Sequence, residues 1–118
     1  MFATTLLCLT MTIYAEARGE PVSGQIAVAA ITINRTKAKG RPKFVCGVVS
    51  QKGQYTWNKK MRVKDRKAYE SSKKLASLYL RGKLRSKIGN RLYFNRYELC
   101  KKYKTKYKPI RIGKHIFY

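Results

Sequence analysis

The sequence predicts an α+β fold, helices first and a short antiparallel sheet toward the C-terminus. Two observations lead there. Apolar residues recur at helical spacing in three stretches before residue 82, whereas short runs rich in Ile, Phe and Tyr, separated by Gly and Pro, crowd the last third. The length, 118 residues, supports one modest core, so one domain is expected over residues 1–118.

The first helix is expected in the apolar run from Phe2 to Ala15, where Phe2, Leu6, Leu9 and Ile13 step by four, three and four. Ala15-Glu16-Ala17 has the small-x-small form of a signal-peptide cleavage site. No Lys or Arg precedes the apolar run, however, and the run is too short to span a bilayer, so a core helix is the better reading. A second helix follows Pro21, a residue suited to a first turn, with Ile26, Ala29, Ala30 and Ile33 on one side and Gly40 and Pro42 as its stop. Its alanine-rich face predicts close packing on a neighbour. Phe44-Val45-Cys46-Gly47-Val48-Val49 reads as an extended run, followed by a loop to Tyr55-Thr56-Trp57. Asp65 is placed to cap a third helix carrying Ala68, Ser72, Leu75, Ala76 and Tyr79, and Gly82 to end it. Strands are expected at Arg91–Phe94, Pro109–Ile112 and His115–Tyr118, with a hairpin turn at Gly113-Lys114.

The charge is extreme and uneven. Lys and Arg number 28 against 5 Asp and Glu, a formal net charge of +23. Residues 1–34 carry one basic and two acidic residues, so nearly all the excess lies downstream. Such a chain is attracted to polyanions: nucleic acid, anionic lipid or an acidic envelope polymer. The basic-aromatic segment Lys101-Lys102-Tyr103-Lys104-Thr105-Lys106-Tyr107-Lys108 has the form of a nucleic-acid footprint and equally suits anionic envelope polymers or a solvated face. A packaging protein needs no near-neutral third with two glutamates, so that segment serves something besides charge. Cys8, Cys46 and Cys100 have no metal-ligand spacing and only His115 could assist them, so no metal or cofactor is expected, and free buried thiols or at most one disulfide are.

The strongest chemical signal is Tyr14-Ala15-Glu16-Ala17-Arg18-Gly19-Glu20-Pro21. Glu16 closes an apolar helix just before a Gly/Pro break, a position that desolvates a carboxyl group, raises its pKa and suits it to general-acid cleavage of a glycosidic bond. The plainer alternative is that Glu16 and Arg18 only solvate a helix end.

These residues, with Gly24-Gln25-Ile26-Ala27-Val28-Ala29-Ala30, Asn34-Arg35, Val45-Cys46-Gly47-Val48-Val49, Gln54-Tyr55-Thr56-Trp57 and Ile112-Gly113-Lys114-His115-Ile116-Phe117-Tyr118, closely resemble the spore-cortex-lytic-enzyme type of cell-wall hydrolase. The blocks run in order along essentially the whole chain. The resemblance implies a lysozyme-like fold that cuts peptidoglycan between N-acetylmuramic acid and N-acetylglucosamine, with Glu16 as the catalytic acid. It implies a lytic transglycosylase, in which one carboxyl acts as acid and then as base while the muramic 6-hydroxyl closes a 1,6-anhydro ring. The alternatives are a two-carboxylate muramidase, with Glu20 the nearest partner in sequence, and a non-enzymatic basic nucleic-acid-binding protein. Glu20, Gln54, Tyr55, Trp57, Tyr93 and Asn95 are the candidate substrate-binding residues. Trp57 also suits a core plug, Asn34 a helix cap and His115 a structural role.

The sequence departs from the family in three places. Ala15 stands where Gly is common, and Tyr93-Phe94-Asn95 replaces a His-Phe-His block. Gly53 occupies the position of a cysteine that pairs with the Val-Cys-Gly cysteine in some members, leaving Cys46 unpaired or paired with Cys100. The expected partners are peptidoglycan strands and, through the basic surface, anionic envelope polymers, with nucleic acid bound at most non-specifically. The resemblance, without a convincing signal peptide, suggests a monomeric, phage endolysin-like enzyme made in the cytoplasm and acting on the wall.

Overall fold

The computed structural model describes residues 4–51, 54–55, 61–99 and 106–118. Four helices precede a three-stranded sheet in them: α1 Thr5–Ala17, α2 Val22–Lys37, α3 Val45–Val49, α4 Arg66–Leu80, β1 Phe94–Arg96, β2 Ile110–Ile112 and β3 His115–Phe117. A 3-10 turn at Tyr97–Leu99 follows β1.

α1 is the central helix. Its residues from Cys8 to Tyr14 are buried without a break, because α2, α3 and α4 all pack on it. A helix so enclosed needs apolar side chains all round rather than one stripe. Of its buried hydroxyls, Thr12 Oγ1 donates to the Cys8 carbonyl at 2.7 Å, whereas Thr10 Oγ1 has no hydrogen-bond partner among the described residues. Thr4 caps the first turn by accepting from Leu7 N at 3.0 Å.

α2 divides the core in two. Ala27, Val28, Ala30 and Ile31 join Ala17, Ile88, Ile112 and Phe117 on the sheet side. Ala29 joins Cys8, Leu9, Ile13, Val45, Val49 and Ala76 on the helical side. The alanines let both neighbours approach closely, as the sequence led one to expect.

α4 begins and ends where its signals lie. Asp65 Oδ1 accepts from Ala68 N at 3.0 Å, and Gly82 takes φ +74° just past the last turn. In the sheet β3 is central, antiparallel to β1 and β2, and Phe117 stands opposite both Phe94 and Ile110. Gly113-Lys114 makes the turn between β2 and β3. The first strand lies later than expected: regular pairing covers Phe94–Arg96, although Tyr93 and Tyr118 still exchange both backbone hydrogen bonds at 2.9 Å.

Two expectations fail outright. Val45–Val49 is helical, not extended. Its β-branched composition suggested a strand, but Val45, Val48 and Val49 are the buried residues, the i, i+3, i+4 face of a helix. Cys46 is neither free nor paired with Cys100, which lies outside the described residues; it forms a disulfide with Cys8 across 38 residues. Packing of α3 on the start of α1 brings the two Cα atoms to 5.4 Å, within bonding reach.

Candidate active site

The C-terminal end of α1, the loop to α2 and the sheet enclose a cleft of about 860 Å³. Glu16, Glu20, Gln54, Tyr55, Tyr93 and Asn95 all line it, although they come from three separate segments. Trp57 lies outside the described residues.

Glu16 sits half-buried in the last turn of α1. Two residues back, the Tyr14 hydroxyl accepts from Lys64 N at 3.1 Å and from Asp65 N at 3.0 Å. Arg18 donates to the same hydroxyl, and its guanidinium lies 4.7 Å from the Tyr14 ring centre. This network ties the end of α1 to the start of α4 and fixes the turn that carries Glu16.

Glu20 is held differently. Its side chain is only 9% exposed, and Oε1 accepts from Lys114 N in the β2–β3 turn at 2.8 Å. Gly113, at φ +58°, leaves room for it: a Cβ there would come within 2.7 Å of Oε1. His115 Nδ1 approaches the same oxygen at 3.4 Å without forming a hydrogen bond. Burial lowers the His115 pKa; Glu20 and Glu16 oppose that shift, and Arg96 adds to it. The imidazole is therefore neutral at neutral pH, and the contact with Glu20 is a buried polar packing rather than an ion pair. His115, expected from the sequence to be structural, is buried in β3 and also forms part of the cleft wall.

The aromatic wall is built around Arg35, which is 3% exposed. Its Nε donates to the Leu92 carbonyl at 2.7 Å, and its guanidinium lies 5.0 Å from the Tyr55 ring centre and 5.6 Å from that of Phe94. Burial lowers the pKa of this guanidinium, and Tyr55 partly offsets the effect. Tyr55 shares a hydrogen bond of 3.0 Å with Thr32 Oγ1. On the rim Tyr93, 40% exposed, stacks on Tyr118 with ring centres 5.6 Å apart. Asn95 Oδ1 accepts from Arg96 N at 2.9 Å, which fixes the amide at the cleft edge.

Asn34 does not cap α2. Its amide donates to the Gly89 and Arg91 carbonyls, both at 2.8 Å, and holds the segment leading into β1. Arg35, Phe94 and Tyr118 are lining residues that were not singled out from the sequence. Arg35 did leave a signal, a cation four residues after Ile31 on the buried side of α2.

The sequence profile of the Cell Wall Hydrolase family matches residues 19–118. The chain belongs to that family. Glu16 lies three residues before the matched segment begins. Among relatives of this Cell Wall Hydrolase chain, the spore cortex-lytic enzyme of Bacillus cereus is 36% identical over 111 residues, 89% of this chain and 40% of the relative. The spore cortex-lytic enzyme of Bacillus subtilis is 46% identical over 41 residues, 35% of this chain. The chain thus spans well under half the length of these curated relatives. Two solved catalytic domains share the fold. That of the germination-specific lytic transglycosylase SleB from Bacillus anthracis superposes with a TM-score of 0.72 at 30% identity, covering 98% of this chain and 95% of that one. That of the Bacillus cereus SleB protein gives 0.70 at 30% identity, covering 99% and 91%.

Proposed function

We propose that the cleft binds a peptidoglycan glycan strand and cleaves the bond between N-acetylmuramic acid and N-acetylglucosamine as a lytic transglycosylase. The observation that carries this reading is the commitment of Glu20. Its Oε1 accepts from Lys114 N and ties the loop after α1 to the β2–β3 turn, whereas Glu16 lines the cleft from the last turn of α1. The other acids are elsewhere: Asp65 caps α4, while Glu70 and Glu98 face Arg66 and Arg96 at the surface. A single carboxyl suffices for intramolecular transfer. Glu16 protonates the glycosidic oxygen as the C1–O bond breaks; the resulting carboxylate takes the proton of the muramic 6-hydroxyl, whose oxygen bonds to C1. The proton is returned, and the product carries a 1,6-anhydro ring.

Tyr55, Phe94 and the Tyr93–Tyr118 pair supply flat apolar faces suited to sugar rings, and Gln54 and Asn95 supply amides at the edge. The Cys8–Cys46 disulfide suits an enzyme working on the wall, outside the reducing cytoplasm, as a phage lytic enzyme does. Attraction of the basic surface to anionic envelope polymers would keep the enzyme there. Of the basic-aromatic segment, residues 101–105 lie outside the described residues, whereas Lys106 and Lys108 are exposed.

Mass spectrometry of muropeptides released from purified peptidoglycan tests the proposal. The expected products end in 1,6-anhydro-muramic acid and resist borohydride, Glu16→Gln releases none, and Glu20→Gln retains measurable turnover. Wholly reducible products with equal loss in both variants would establish the two-carboxylate muramidase instead.

A further inference from the structure

The exposed face of α4 lies outside the cleft and has a charge pattern that folding does not require. Ser72 and Ala76 are its buried residues. On the other side Arg66, Lys67, Lys73, Lys74 and Arg81 are all exposed, and Lys83, Arg85 and Lys87 continue the series beyond the helix. Lys67, Lys74 and Arg81 recur every seven residues, two helical turns, and so form a row with steps of about 10.5 Å. Glu70 is the only acid in this stretch, 3.8 Å from Arg66 and itself exposed. None of these residues lines the cleft.

So many like charges on one short face repel one another, which raises the energy of the free protein; a polyanion laid along the row relieves it. The row offers no ring on which a base could stack. Tyr69 is half-buried beneath the Arg66 guanidinium, 5.4 Å from its ring centre, and Tyr79 packs against both core clusters. That favours a polymer read through backbone charge alone over single-stranded nucleic acid.

We propose that this face of α4 is a docking surface for a linear phosphodiester polymer attached to the cell wall, separate from the glycan cleft. The location of the polymer rests on the reading of the cleft as a peptidoglycan site, whereas the surface itself does not.

The test is co-sedimentation of the whole protein with purified Gram-positive walls, intact or stripped of phosphodiester polymer by hydrofluoric acid. Three proteins are compared: the parent, a Lys67→Gln/Lys74→Gln/Arg81→Gln variant, and a Lys37→Gln/Lys39→Gln/Lys43→Gln variant that loses the same charge elsewhere. The row variant is expected to bind intact walls at least fivefold more weakly than the parent. Its log-affinity against log-salt slope should be shallower by about 2–3, at roughly 0.7–0.9 per lost phosphate contact. The displaced-charge variant should stay near the parent, and stripping should bring the parent down to the row variant. Cleavage of short soluble glycan fragments should be unchanged in the row variant, and an absence of cleavage in every protein would count against the cleft assignment alone. Equal retention of the parent on stripped and intact walls would overturn the proposal. So would equal loss in both variants, or displacement from walls by duplex DNA at a lower concentration than by the free phosphodiester polymer.

Discussion

Replacing Gly113 by Ala tests how the turn of the sheet holds the loop after α1. The residue adopts φ +58°, where an L side chain costs about 1–2 kcal/mol. The added Cβ would lie 2.7 Å from Glu20 Oε1 and 2.9 Å from Pro21 Cδ, so one side must move. Pro21 opens α2 and Glu20 is bonded to Lys114 N, so the least costly movement breaks that carboxylate–amide hydrogen bond, worth about 1.5–3 kcal/mol. The expected total is roughly 3–5 kcal/mol, a large share of the stability of a domain this size, about 5–15 kcal/mol. Gly82→Ala is the control. Gly82 has φ +74° but nothing within 4 Å of the new Cβ, so only the backbone cost of about 1–2 kcal/mol applies. Urea unfolding of both variants measures the difference, and repeating Gly113→Ala in a Glu20→Ala background should recover part of it. If Gly113→Ala costs no more than Gly82→Ala, or costs the same with and without the Glu20 carboxylate, the assigned role of Glu20 is wrong.

Other outcomes follow from the same geometry. Reducing the Cys8–Cys46 disulfide, which closes a 38-residue loop, should cost about 4 kcal/mol by chain entropy, read as a lower urea midpoint in dithiothreitol; Cys8→Ser should lose the same amount and no longer respond to the reductant. Because burial depresses the folded His115 pKa below its unfolded value of about 6.5, its neutral form stabilises the protein above that pH, and the benefit is lost as pH falls through the folded value. The parent should therefore lose more stability than His115→Gln between about pH 6.5 and 5, and parallel urea midpoints would refute this. Arg35→Lys should loosen the wall formed by Tyr55 and Phe94, because an ammonium cannot hold the Leu92 carbonyl and stack on both rings at once. That predicts a raised KM on peptidoglycan with a smaller change in kcat; unchanged kinetics would mean that the rings position themselves.

What the sequence determined by itself was the local structure. Asp65 and Gly82 bound α4, Gly113-Lys114 turns the last hairpin, and apolar periodicity marks α1 and α2, because caps, positive φ and helical faces are settled within a few residues. The Glu-Ala-Arg-Gly-Glu block drew attention to Glu16 as the acid and to Glu20 as a binding residue or second carboxylate. Only the tertiary structure shows what holds Glu20, because its partner, the Lys114 amide, lies 94 residues away. The same holds for the Cys8–Cys46 bond, for the Asn34 contacts with Gly89 and Arg91, and for Arg35 beneath the aromatic wall. The Val45–Val49 run was misread for a related reason. β-Branched residues suit a strand or a buried helix, and what decides between them is the surface they meet, here α1 carrying Cys8. Propensity acts along the chain, whereas the placing of a carboxylate, a cation or a thiol depends on which distant surfaces pack together.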